Sequence, residues 1–398
     1  MYSLYFHIPF CTHRCAYCDF NTYANQEDSI PAYVDALTRE IDFVGHRVDN
    51  AQVHTIFFGG GTPSLLSPPQ FASIFKSIRA AFTLMDDAEV TIEANPGTVT
   101  YEALRQLRKI GVNRISYGVQ SANMEELHML ERAHNFFDVI EAVSSARKAG
   151  FDNLNLDLIY GLPEQSMDIW QTTVKRILDL HPEHISAYAL TLEHGTPFGR
   201  WSSKGLLPLP DPDLAAEMYE WLSETLESNG YKNYEISNWS EPNRECKHNL
   251  QYWRGLPYLA FGAGAHGYAN GYRYSNVLRI KTYIERLPNS LAQNSTYRFP
   301  LSPAVVNQHR QTIEDDMSEF MMTSLRLTVE GVSTQDFQTR FGRSIQAVFG
   351  KEIDELMRLG LIERYESTST HGGADNSDGI RITPHGRLLG NQVFMKFV

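Results

Sequence analysis

Cysteine is scarce in this chain, and its distribution is uneven. Only four occur in 398 residues, and three of them fall between Cys11 and Cys18. A disulfide framework spreads its thiols along a chain, so a bridge-stabilised secreted class is set aside. Basic residues are also in the minority. The 35 Lys and Arg stand against 47 Asp and Glu, for a formal net charge of −12. That balance argues against nucleic-acid binding, which draws on a basic face. No apolar run approaches the roughly 20 residues of a membrane span. Met1 to Phe10 lacks the charged, apolar and small-residue layout of a secretory signal. The expectation is a cytoplasmic protein with no transmembrane segment. No repeat at a solenoid period is visible. The polar, Gly/Ser-rich stretch STSTHGGADNSDG, Ser367 to Gly379, reads as a mobile surface loop.

The first two-thirds alternate short apolar runs with amphipathic stretches. Strands are predicted at Leu4–Ile8, Val53–Phe58, Glu89–Glu93, Arg114–Val119, Asn153–Ile159 and His184–Leu190. Helices are predicted at Ile30–Val44, Pro69–Ala81, Tyr101–Ile110, Phe137–Ala149 and Ile169–Leu180. Strict alternation implies βαβ units and a parallel sheet. Polar and glycine signals at each strand end favour a partial parallel (β/α) barrel, whose chemistry sits on the loops after the strands. The predicted divisions are a core barrel over 1–240, a connecting segment over 241–301 and a smaller C-terminal domain over 302–398. Within the connecting segment, Cys246–Tyr274 is rich in aromatics and glycines and reads as irregular backbone. The last part reads as three helices, Asp315–Leu325, Ser333–Phe341 and Ile345–Leu359, then a two-stranded hairpin. That is a winged-helix-like unit. Its third helix sets Lys351 and Arg358 against Glu352, Asp354 and Glu355, so packing or partner docking is favoured over DNA binding.

Cys11, Cys15 and Cys18 follow the first strand in a C-x3-C-x2-C spacing, within YFHIPFCTHRCAYCDF. Thiolates ligate iron in iron–sulfur clusters, and a three-thiolate loop leaves one iron of a [4Fe–4S] cube open. Structural zinc is the alternative. It needs four closed ligands, with His13 or His7 as the fourth, and none of the usual paired-knuckle spacing follows. After the second strand comes GGGTP, Gly59 to Pro63, where glycines allow close backbone approach to a ligand. Glu93 follows the third strand in EANP, Gln120 the fourth in GVQS, with Arg132 in ERAH, and Asp157 lies in NLDLIYGLP. Any one of these alone reads as a turn glycine or a solvated carboxylate. Their joint placement at successive strand ends points to one site.

The cysteine spacing resembles the radical S-adenosylmethionine superfamily. The blocks together resemble the oxygen-independent coproporphyrinogen III oxidase group over nearly the whole chain. The resemblance implies an oxygen-sensitive [4Fe–4S] cluster on Cys11, Cys15 and Cys18. It also implies S-adenosylmethionine contacts at Tyr5, Tyr17, Gly60, Gly61, Thr62, Glu93, Gln120, Arg132 and Asp157, with the backbone around Thr191 as a looser match. The oxidases of this group carry a further cysteine two positions after the third, where this chain has Phe20. They also carry a long N-terminal arm, whereas here the first cluster cysteine is already residue 11. The stretch HNLQYW, His248 to Trp253, is similar instead to the signature of the haem-chaperone branch. Imidazole ligates iron and aromatic rings stack on the macrocycle, so the resemblance implies haem bound through His248. Cys246, His266 and His194 are the other candidates. The implied partners are haem and an acceptor protein, such as a membrane-associated respiratory protein, with no nucleic acid. The alternatives are a coproporphyrinogen oxidase and a tRNA-modifying radical enzyme. The negative charge and single cysteine cluster weigh against the last.

Overall fold

The computed structural model describes residues 1–48, 50–289, 297–366 and 378–398. These form two compact units: Met1–Thr225 with Pro257–His309, and Leu226–Leu256 with Arg310–Val398. The segment expected to connect two domains over 241–301 is therefore shared between the units, dividing at Leu256 and Pro257.

In the first unit the alternation of the sequence becomes six neighbouring parallel strands. They are β1 (Tyr2–Ile8), β2 (Gln52–Gly60), β3 (Thr83–Ala94), β4 (Arg114–Gln120), β5 (Leu154–Tyr160) and β6 (His184–Ala189), paired in that order. Helices α1 (Ile30–Gly45), α2 (Pro68–Ala81), α3 (Tyr101–Ile110), α4 (Phe136–Lys148) and α5 (Met167–Leu178) fill the crossovers. The predicted elements are all found, with ends moved by at most six residues. Local chemistry sets the boundaries. Ser67 and Gln70 form a reciprocal cap on α2, with Pro68 at its first position, and Asn135 and Asp138 do the same for α4. Thr100 caps α3, whose end is set by Gly111 at φ 128°. Leu4, Phe6, Val53, Ile56 and Phe58 point away from the barrel interior into the helix layer, where all are fully buried. Phe6 stacks between Phe58 and Phe261 at 4.9 and 5.1 Å. Each such side chain contributes about 1.5–3 kcal/mol on burial.

The aromatic, glycine-rich stretch is regular, contrary to the expectation of irregular backbone. It forms β7 (Tyr258–Phe261), β8 (His266–Ala269) and β9 (Tyr272–Asn276), and β10 (Val305–Arg310) follows. Strand β7 pairs parallel with β1, β8 runs antiparallel to β7, and β9 antiparallel to β8. The strands are only four to six residues long, and their turns use Gly262, Gly264 and Gly271 at positive φ. That composition hides the period-two signal. The extension is tied to α1 by the enclosed carboxylate of Glu40. It accepts from Gly262 N and Asn276 Nδ2, both at 2.9 Å, and from the hydroxyls of Tyr283 and Ser302, both at 2.6 Å.

The second unit contains helix Lys247–Trp253 and the hairpin Lys232–Glu235 with Asn238–Ser240. Helices Ile313–Ser324, Thr334–Phe341 and Ile345–Arg358 follow. The expected two-stranded wing has a third member: Val332–Ser333 pairs with Gly379–Ile382, which pairs with Ile362–Tyr365. Phe337, Ile353, Met321 and Leu325 are fully buried at its centre. The polar loop expected over 367–379 lies outside the described residues except for Asp378 and Gly379, and Gly379 already belongs to a strand.

Candidate functional site

Burial along the barrel strands is broken at a few positions in their C-terminal halves. Tyr5 in β1, Phe57 in β2, Glu93 in β3, Gly118 in β4 and Asp157 in β5 are partly open between buried neighbours, as is Gly60 at the end of β2. Tyr5 lies opposite Phe57, and Gly118 opposite Asp157. The line of partial exposure crosses the sheet at the ends where parallel barrels keep their chemistry.

The cysteine loop leaves β1 at once. Phe10–Cys11 pairs with Tyr23–Ala24, closing the loop between them. Gly61 N donates to Ile8 O at 2.9 Å and Thr62 N to Phe10 O at 2.7 Å, locking the loop onto the end of β2. At its middle, Phe198 N donates to Ala16 O, and Ala16 is buried with Leu130, Ile159, Leu162 and Phe198. The glycines of GGGTP serve this packing first. A Cβ on Gly60, at φ 110°, would stand 2.4 Å from the His7 ring, and one on Gly61 would stand 2.5 Å from Phe10 O. Their freedom lets the loop sit on the strand, where the sequence alone suggested ligand approach.

A chain of hydrogen bonds joins two of the thiols. Thr62 Oγ1 donates to Cys11 Sγ at 3.6 Å, and Asn95 Nδ2 donates to Thr62 Oγ1 at 3.0 Å. Arg132 donates through Nη2 to Asn95 Oδ1 and, at 2.6 Å, to Gly118 O. Its Nη1 donates to Cys15 Sγ at 3.6 Å. Gly118 permits this convergence, since a Cβ there would lie 2.9 Å from the Gln120 amide and 3.2 Å from both Arg132 and Asn95. Asn95 and Gly118 do not stand out in the sequence. Both sit within the motifs quoted above, but a hydrogen-bond role between loops has no local signature.

Burial pushes the Cys11 and Cys18 thiols up, which an iron ligand reverses by binding the thiolate. Among the described residues, no three His, Cys, Asp or Glu side chains converge on a point that could hold a single ion. Tetrahedral zinc gathers its ligands within about 2–2.3 Å of one centre, whereas a cube gives each thiolate its own iron. His7 has one ring nitrogen against Tyr5 Oη at 3.0 Å and the other against Asn21 O at 2.9 Å, and His13 pairs with Glu131. Neither completes a zinc site. The donor set fits a polynuclear cluster.

Glu93 and Asp157 face the same interior. Gly60 N donates to Glu93 Oε2 at 3.0 Å. Burial pushes the Glu93 carboxyl up to about 8, with repulsion from Asp157 adding to it and Gly60 N–H and Arg114 opposing. Asp157 is also raised by burial, against hydrogen bonds from Ser186, Asn155 and Ser116. Two crowded carboxyls whose ionisation is suppressed suit a cationic group that would relieve both. Gln120, which ends β4, is held at φ 70°, where β4 bulges against β5. A non-glycine residue held there carries strain of order 1–3 kcal/mol, a pattern found at ligand sites. Burial raises the Tyr5 and Tyr17 phenols, Tyr17 lying within the influence of Arg132. Thr191 is exposed just beyond β6.

The candidate haem ligands divide between the two units. His248 and Cys246 belong to the second unit and are each 1% exposed. His248 Nε2 meets Tyr252 Oη at 2.8 Å, with the rings edge to face at 5.0 Å. His266 and His194 belong to the first unit and are exposed.

Comparison with known proteins matches residues 5–177 to the radical SAM superfamily and residues 311–368 to the HemN C-terminal domain. The solved structure of coproporphyrinogen III oxidase (HemN) from Escherichia coli, described as a radical SAM enzyme, superposes with a TM-score of 0.80. That likeness covers 99% of this chain and 89% of the other, at 24% identity, and speaks for the fold. Heme chaperone HemW of Bacillus subtilis is 38% identical over 399 residues, covering 100% of this chain and 99% of its own. Heme chaperone HemW of Escherichia coli is 35% identical over 398 residues, covering 100% and 98%. No described helix is long and apolar enough to cross a membrane. Likeness of this extent, running from end to end and carried on a barrel with three loop thiols, places the chain in the HemW heme chaperone family of radical SAM proteins.

Proposed function

We propose that this chain is a haem chaperone, binding haem and handing it to an acceptor protein in the cytoplasm. Full-length identity of 38% to a protein named as such is the observation that carries the reading. The second support is Phe20, 67% exposed in the cysteine loop at the position where the oxidases keep a thiol. Cys11, Cys15 and Cys18 would hold a [4Fe–4S] cluster, which when bound supplies an electron and an open iron for S-adenosylmethionine. The chain's own residues position and shield. Thr62 and Arg132 donate to the sulfurs of Cys11 and Cys15, stabilising thiolate charge. Glu93 and Asp157 offer carboxylates to a cation or hydroxyls, and the Gln120 amide converges with Arg132 over Gly118. The buried run from Ala16 to Phe198 keeps water from the back of the loop.

The test is an anaerobic titration with haem, followed through the Soret band, beside an assay for coproporphyrinogen consumption. Stoichiometric haem binding without porphyrin turnover is the expected result. Multiple-turnover formation of protoporphyrinogen overturns the reading.

A further inference from the structure

A haem that is acquired and later released needs a ligand that solvent can reach. His248 is buried and bonded to Tyr252, and Cys246 is buried beside it. His266 is exposed, and no hydrogen bond reaches its ring among the described residues. It opens β8, and strand register fixes which face it shares. Ser3 pairs with Tyr258, Tyr258 with Tyr268, Tyr268 with Arg273 and His266 with Ser275. Paired residues, and residues two apart on a strand, lie on one face. His266 therefore shares the face of Tyr5, Tyr258, Tyr268 and Arg273.

The contacts along that face agree. Arg273 donates to Tyr258 Oη at 2.8 Å and lies 4.4 Å over the Tyr268 ring. His266 is close enough to His7 to oppose its protonation, and Tyr258 acts likewise on the ionisation of Tyr5. The face is thus continuous with the interior that holds Glu93. The loop before His266 is fastened to the cysteine loop, because Asn21 Nδ2 donates to Ala263 O at 3.1 Å and Leu278 O at 3.0 Å. Phe20, next to Asn21, and Leu278 are 67% and 55% exposed.

We propose, resting on the haem reading above, that this face is the haem site, with His266 as the iron ligand and Arg273 as the partner of a propionate. A tetrapyrrole brings an iron seeking a nitrogen donor, an aromatic plane, apolar edges and two carboxylates. The face offers an imidazole, the half-buried Tyr258 ring and a guanidinium, and the exposed Phe20 and Leu278 lie on the neighbouring loops that Asn21 ties together. His194 is also exposed, but on the loop after β6 rather than on strands β7 to β9. HNLQYW is then a structural segment. His248 and Tyr252 hold their short helix in shape, and Trp253 lies under the Arg326 guanidinium at 4.5 Å.

The test uses full-length, cluster-reconstituted protein and free haem. Soret titrations compare wild type with His266→Ala, Arg273→Gln, His194→Ala and His248→Ala, with cluster content and circular dichroism as folding controls. His266→Ala loses the ligand-bound band and weakens haem about tenfold or more, and added imidazole restores the band. Arg273→Gln weakens haem without moving the band, while His194→Ala and His248→Ala behave as wild type. An unchanged band in His266→Ala, or its loss in a folded His248→Ala, overturns the assignment while haem binding by wild type stands. If wild type itself binds no haem, the functional reading falls instead.

Discussion

Replacing Glu93 by glutamine isolates one proton. The folded carboxyl titrates near 8, against 4.5 for the unfolded chain, because it is enclosed and faces Asp157. A folded pKa above the unfolded one means that ionisation opposes folding. The penalty is absent below about pH 4.5, grows as pH rises, and is complete above about 8. At about 1.4 kcal/mol per pH unit the full penalty would approach 5 kcal/mol. Part of Glu93 remains open to the barrel interior, so water screens it and roughly half is a fairer figure. Glutamine cannot ionise. Between about pH 5.5 and 7.5, wild type should lose about 1–3 kcal/mol relative to Glu93→Gln, which is several degrees in Tm. Anaerobic thermal denaturation of both proteins without S-adenosylmethionine, at closely spaced pH values, gives that difference directly. Titration calorimetry in buffers of different ionisation enthalpy gives the second half. At about pH 7 wild type should release a proton on binding the cofactor, and Glu93→Gln should bind weakly and release none. A flat stability difference together with no proton release refutes the placement of Glu93 against a cation.

Cys15→Ala should abolish the cluster, while Cys246→Ala should leave iron and sulfide at wild-type levels after reconstitution. Either result reversed removes the ligand assignment. Asn95→Leu breaks the chain between Cys11 and Cys15 at its centre, leaving Thr62 Oγ1 without the donor it accepts from and Arg132 Nη2 without one of its acceptors, a loss of about 1–3 kcal/mol in the supporting shell. The cluster should assemble but show an altered electron paramagnetic resonance signal and faster loss in air, and wild-type behaviour in both would dismiss the chain as incidental. Glu40→Gln turns one acceptor of a four-donor clasp into a donor, and should cost about 2–4 kcal/mol of stability. An unchanged Tm would show that the clasp is not needed.

The barrel is legible in the sequence because its signals are local. Strands β1 to β6 are apolar runs, α2 and α4 announce themselves through Ser67-Pro68 and Asn135-x-x-Asp138, and the cysteine spacing is contained in eight residues. What escapes is of two kinds. Strands β7 to β9 are too short, and too interrupted by glycine turns, for periodicity to register, and their pairing with β1 is distant in sequence. The division of the units at Leu256 escapes for the same reason, since nothing in composition changes there. In the site, residue types are readable but their partners are not. The family resemblance assigns Arg132 to the cofactor, yet its side chain bonds Cys15, Asn95 and Gly118, and Gly60 is shaped by His7.

Strand β1 leaves the ribosome before both of its neighbours, and they arrive at very different times. Strand β2 follows soon after, but β7, which covers the other edge, is made only beyond Pro257. During most of synthesis Tyr2–Ile8 therefore remains an unprotected edge, able to recruit a strand from another chain. The loop bearing Cys11, Cys15 and Cys18 hangs from that edge, and Asn21 cannot reach its carbonyls at Ala263 and Leu278 until they exist. Iron loading on nascent chains should thus lag behind synthesis, and slow translation near Pro257 should raise the fraction that aggregates.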